Sequence, residues 1–145
     1  MERALYKHNS HQLEFVEFKS PFGEHLRADN RWVRLSQVIP WSLIEEKYRK
    51  SLSSPTRGQK AYSSRVAFGA LYIKEQIGLT DEDTVLHIQE NPYLQYFLGF
   101  PEYRMDPPFD PSLMTHFRKR FTAESLQEIN RRIFHDPEDD DNDDE

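Results

Sequence analysis

An all-α domain is what this sequence predicts, and three observations carry the reading. No stretch alternates β-branched or aromatic residues with polar ones for long enough to make a half-buried strand. Apolar residues recur three and four apart in several segments, and most of these open on a capping residue and close on glycine or proline. The chain has 145 residues, the size of one ordinary domain and long enough to bury a real core. A compact domain of about six helices is expected, with an extended N-terminal arm over residues 1–30, the helical body over 31–135 and a disordered acidic tail over 136–145.

Residues 1–30 keep no period. Leu13, Phe15, Val16, Phe18 and Phe22, punctuated by Pro21 and Gly23, read as an arm that packs its aromatics on the body. Trp32, Val33 and Leu35 then lead through Ser36 into a short turn. Pro40 suits the first position of a helix over about 40–50, where a missing N–H costs nothing. Residues 53–62, SSPTRGQKAY, read as a polar loop.

Ser63 caps the next segment, SRVAFGALYIKEQI, and Gly78 stops it. Val66, Ala70, Ile73 and Ile77 share one face while Phe68, Leu71 and Tyr72 cover much of the rest, so this helix should be the centre of the core. Thr80 with Asp83 three residues on forms a capping box for a helix to about Glu90. Asn91 and Pro92 start another helix that ends at Gly99, and residues 100–109 form a proline-rich loop. Asp110 and Pro111 repeat that start signal, and Thr122 caps a last helix with Leu126, Ile129 and Ile133 at core spacing.

The helix from Asp110, read DPSLMTHFRKRF, bears most directly on function. At about 100° per residue, Leu113, Met114, Phe117 and Phe121 form one core-facing stripe. Ser112, Thr115, His116 and Lys119 point the other way, Arg118 lies on the flank, and Arg120 sits at the edge of the stripe. That face has hydroxyls, an imidazole and cations, and no acid from Ser112 to Thr122. It suits phosphate contacts by the cations and short-range contacts by the hydroxyls. The same face also fits a solvated helix whose C-terminal cations complement its dipole, and on chemistry alone the balance tips to that plainer reading. A helix-turn-helix is poorly matched, because Gly99 to Pro111 is far longer than the usual three or four residues. Further cations cluster at Lys47, Arg49 and Lys50, at Arg57, Lys60 and Arg65, and at Arg131 and Arg132, each group alone reading as surface charge.

Charge is unevenly spread. The formal net charge is −6, but residues 136–145, DPEDDDNDDE, hold eight of the 25 acids and none of the 19 basic residues, which leaves 17 acids in the body and a formal +2 there. A near-neutral body permits a local basic patch. Without a glycine after the alternating acids, the tail is not an EF-hand loop. The chain has no cysteine, so disulfides and thiolate metal sites are excluded. Its start, MERALYKHNSHQ, lacks the apolar core of a signal peptide, and no run reaches membrane-spanning length, so a cytoplasmic location and no membrane partner are expected.

Catalytic signals are weak. His8 and His11 lie in the arm with no third ligand nearby, and His87 reads as a packed or solvated histidine. No nucleophile elbow, Gly-rich phosphate loop or HExxH occurs, so no active site, metal or cofactor is expected.

The succession QLEFVEFKSPFG, NRWVRLSQVIPW, AYSSRVAFGALYIKEQIGLTDEDTVLHIQENPYLQYFLGF and DPSLMTHFRKRF resembles the helical N-terminal domain of bacterial insertion-sequence DDE transposases of the InsH-like type. The resemblance runs over roughly residues 8–135 and is most specific at GLTDED, ENPYLQYFLG and D-x-S-x-x-x-x-FRKR. It implies a DNA-associated domain that in such proteins precedes an RNase H-like domain, whose carboxylates hold two metal ions for strand cleavage. This chain stops where that domain should begin, so a non-catalytic role is expected, with insertion-sequence ends as the DNA partner and other transposase subunits as a second kind of partner. On that resemblance the DNA-binding set is Ser112, Thr115, His116, Arg118, Lys119 and Arg120. A polar cap would be expected where Pro40 stands, which places the start of that helix in question.

Overall fold

The computed structural model describes residues 18–21, 25–52 and 62–134. They form seven helices: α1 (Arg31–Val38), α2 (Trp41–Ser51), α3 (Ser64–Ile77), α4 (Asp81–Glu90), α5 (Pro92–Phe97), α6 (Leu113–Lys119) and α7 (Ala123–Phe134). Among the described residues the only β pairing is an isolated parallel bridge between Lys19 and Glu102.

The capping residues act as their chemistry dictates. Ser63 accepts from the Val66 N–H, Thr80 from the Asp83 N–H at 3.1 Å, Asn91 from the Tyr93 N–H and Thr122 from the Ser125 N–H. Each bond satisfies a first-turn donor that has no partner inside its own helix. Gly78 ends α3 at φ 80°, a left-handed conformation that closes a Schellman-like turn.

Two readings need correction. Residues 31–38 are a helix, not a turn, with Asn30 as its cap accepting from the Trp32 and Val33 N–H groups. Pro40 precedes α2 as its N-cap, with no side-chain capping bond, and does not occupy the first helical position.

α3 is the hub, packing against α2, α4 and α6, while α1 packs on α5 and α7 on α2. Every residue of α3 from Ser64 to Ala70 is buried, as is Ile73, which explains why its sequence is apolar nearly all round. Trp41 and Phe97 meet edge-on at 5.5 Å, and Trp32 joins Phe97 at 5.1 Å, tying α1, α2 and α5 into one core. A smaller cluster of Phe18, Leu26, Val33 and Tyr96 anchors the end of the N-terminal segment, with Phe18 edge-on to Tyr96. The aromatics Phe15 and Phe22, with Leu13 and Val16, lie outside the described residues, as do 53–61 and the tail.

Arg65 shows why a basic residue can sit in such a core. Its side chain is buried on the first turn of α3, donates from Nε to the Phe97 carbonyl at 2.8 Å and from Nη2 to the Tyr96 carbonyl, and lies over the Trp41 ring at 4.6 Å. It therefore satisfies carbonyls at the end of α5 and is not part of a surface basic cluster. Burial pushes its pKa down to about 10, which still leaves the guanidinium protonated at neutral pH.

Candidate nucleic-acid interface

α6 is positioned by its apolar stripe. Met114, Phe117 and Phe121 are buried and Leu113 is half-buried. Phe117 meets Phe109 and Tyr62 edge-on, and Phe121 meets Phe68 of α3 and Tyr48 of α2. With that stripe fixed, the rotation of α6 is fixed, and its opposite side must face solvent. Ser112, Thr115, His116, Arg118 and Lys119 are all exposed, and Arg120 is half-buried.

The start of the helix is held locally. The Asp110 carboxylate accepts the Ser112 N–H at 2.9 Å, and this bond holds its pKa below the usual aspartate value. The regular helix opens one turn later than Asp110, at Leu113, because residues 111–112 form a turn.

The cations of this face are not equivalent. Arg118 makes a two-pronged bond to Asp81 on the first turn of α4, at 3.0 and 3.1 Å, and also donates to the Thr115 hydroxyl. Asp81 is flanked by Glu82 and Asp83, and Lys74 approaches its carboxylate at 3.8 Å. Arg118 therefore fastens α6 to an acidic turn, and its hydrogen bonds hold the Asp81 carboxyl below the usual range. Arg120 donates to the Ser51 carbonyl at 3.1 Å, closing the end of α2. Lys119 and His116 make no hydrogen bond or ion pair with other described residues, so the Lys119 ammonium and the His116 ring nitrogens are available to a partner.

Ser112, Thr115 and His116 offer short polar groups, and Lys119 offers a mobile cation for a phosphate oxygen. Sequence reasoning placed the exposed face correctly but missed the two tethers, since Asp81 and Ser51 lie far from α6 in the chain. His87, considered above as a histidine without a catalytic role, is exposed with Nδ1 at 2.9 Å from the Asp83 carbonyl one turn back.

Behind the face, the loop over 100–109 is pinned by one buried side chain. Gln95 donates to the carbonyls of Ile88, Gln89 and Arg104 and accepts the Arg104 N–H at 2.8 Å. Three carbonyls on one side of the amide and one N–H on the other define its orientation. The long connection between α5 and α6 is thus a built part of the domain.

A family model described as a transposase domain, DUF772, matches residues 20–120. An uncharacterised protein, ORF8 in the nfe locus of Rhizobium meliloti, is 38% identical over 97 residues, which cover 67% of this chain and 46% of that protein. The chain thus spans about half the length of the curated relative it matches. No solved structure matches the chain significantly. No helix among the described residues is long and apolar enough to cross a membrane.

Proposed function

The chain belongs to the transposase domain family DUF772, and from that membership we propose that it is a DNA-holding domain of an insertion-sequence transposase, with strand cleavage carried out by another part of the enzyme. The observation that carries the proposal is the solvent face of α6. Ser112, Thr115, His116 and Lys119 stand exposed on a helix whose rotation the core fixes, with no acid between Ser112 and Thr122. Arg118 and Arg120 belong to the same surface and set its pose through Asp81 and Ser51. These two tethers keep α6 from turning when a duplex approaches.

A second reading, a surface that joins transposase subunits, rests on the exposure of Leu86 and Met105. The two sit near each other, since Gln89, one turn after Leu86, donates to the Met105 carbonyl. Exposed apolar groups of this kind favour protein contacts over phosphate contacts.

Titration of a labelled duplex with the full chain at about 50 and 200 mM salt separates the readings, because backbone binding falls steeply with salt. Binding that weakens by more than tenfold supports the DNA role. An absence of binding, together with a dimer whose population follows protein concentration, supports the subunit role. Magnesium- or manganese-dependent cleavage of that duplex by the pure chain would contradict the assignment of strand chemistry to another part of the enzyme.

A further inference from the structure

On the α6 face Arg118 is paired with the Asp81 carboxylate, which leaves Lys119 and Arg120, too little charge for a stable grip on a duplex, which carries one negative charge per about 1.7 Å. The remaining grip must come from an adjoining surface. At its Arg118 edge α6 meets the acidic first turn of α4, which repels phosphate. At its C-terminal edge it meets the end of α2, through Arg120 and the Ser51 carbonyl and through the Phe121 ring against Tyr48 at 6.0 Å.

From there the basic surface continues. Lys50 lies exposed beside Ser51 and Lys47 one turn earlier, and Lys47 reaches Glu128 of α7 at 2.8 Å. Arg131 and Arg132 follow one turn after Glu128, both exposed and close enough to lower its carboxyl pKa along with Lys47. The acids on this surface are Glu46, which Lys50 approaches at 3.4 Å, together with Glu124 and Glu128 of α7. Among the described residues the four cations Lys47, Lys50, Arg131 and Arg132 exceed these three acids by one, and Lys119 and Arg120 raise the cations to six.

We propose that the phosphate backbone of a duplex seated on α6 runs over the end of α2 and onto α7, where Lys47, Lys50, Arg120, Arg131 and Arg132 hold it by charge while α6 supplies the contacts nearest the bases. The inference rests on the DNA-holding role proposed above and adds the surface that provides most of the affinity. Each of these cations also complements the C-terminal dipole of its helix or an acid nearby, and that purely structural role predicts no change in DNA binding when they are removed.

The experiment uses the full chain and one duplex of about 20 base pairs. Affinity is measured across a salt series for the wild type, for Lys50→Gln with Arg131→Gln and Arg132→Gln, for Arg131→Gln with Arg132→Gln alone, and for Arg31→Gln with Arg34→Gln on α1 as a charge-matched control. All of these side chains are exposed, and the Lys47–Glu128 pair is left intact. The triple variant should lose at least about tenfold in affinity at low salt, and its log–log salt slope should become shallower by about 0.9 for each phosphate contact removed. The double variant should lose about two-thirds as much slope, and the α1 control should match the wild type. Wild-type affinity and slope in the triple variant, or an equal loss in the α1 control, would overturn the strip while leaving the DNA role standing. A wild-type chain that binds no duplex would overturn the DNA role itself.

Discussion

Arg118 and Lys119 are neighbours in sequence with different tasks. Arg118 is bonded twice to Asp81, whereas Lys119 faces solvent. Lys119→Ala should therefore weaken duplex binding and make its salt slope shallower by about one phosphate's worth, with the melting temperature unchanged. Arg118→Ala should instead lower the melting temperature slightly, since exposed pairs contribute about 0.2–1 kcal/mol. The pH dependence has a definite sign. The Asp81 carboxyl is lowered in the folded chain by Arg118, so the pair's contribution is present above the ordinary aspartate pKa and is lost as pH falls through the lowered folded value. Melting curves of wild type and Asp81→Asn should therefore differ at neutral pH and converge in acid. The 100° rule was enough to read the exposure of α6 from the sequence, because a helix's two faces follow from its own spacing. The Asp81 bond was not legible, because it depends on how α4 and α6 approach each other through α3. Arg65 was misread as surface charge for a related reason: only the packing of α5 over the start of α3 shows that two carbonyls await it.

Among the elements, α3 and the Gln95 staple determine whether the site is presented at all. Ile73 is fully buried on α3. Ile73→Asp would place an unpaired carboxylate there and should abolish cooperative melting by circular dichroism. Gln95→Leu keeps the volume but leaves the Arg104 N–H and carbonyl without their partner, while the Ile88 and Gln89 carbonyls each keep one other donor. A loss of about 3 kcal/mol follows if one or two of those groups stay unsatisfied, a fall in melting temperature of about 10 °C. Duplex affinity of the fraction still folded should fall too, because the loop leading into α6 is no longer pinned. The helices with capping residues, α3, α4, α5 and α7, were legible because one side chain both starts the helix and states where it starts. α1 was not, because 8 residues are too few for a period, and the residues that bury it, Trp32 and Val33, are adjacent in sequence. Its one local signal was Asn30, whose side-chain Oδ1 accepts two first-turn N–H groups. Pro40 misled in the opposite direction, since its fixed φ suits the N-cap as well as the first turn.

On the scale of the whole molecule, the distribution of charge decides how strongly such a surface can work. The chain carries −6 overall, with eight acids in residues 136–145. Arg131 and Arg132 stand within a few residues of the first of them. Those acids should lower the local potential felt by a phosphate within about 8 Å at physiological salt. A chain ending at His135 carries a formal +2, so it should bind duplex more tightly than the full chain at low salt, with the gain shrinking as salt rises and the melting temperature unchanged. Equal affinity of the two at low salt would show that the acids lie beyond reach of the DNA surface.

The central claim, that DNA lies on α6 and crosses to α2 and α7, is tested most directly by backbone amide NMR shifts of the 17.3 kDa chain as a duplex is added. The account predicts shifts concentrated at Ser112–Arg120, at Lys47–Ser51 and at Glu128–Arg132, with α1 and the outer face of α4 unchanged. Shifts centred on Leu86 and Met105 or on Arg31 and Arg34, with α6 silent at saturating duplex, would contradict it.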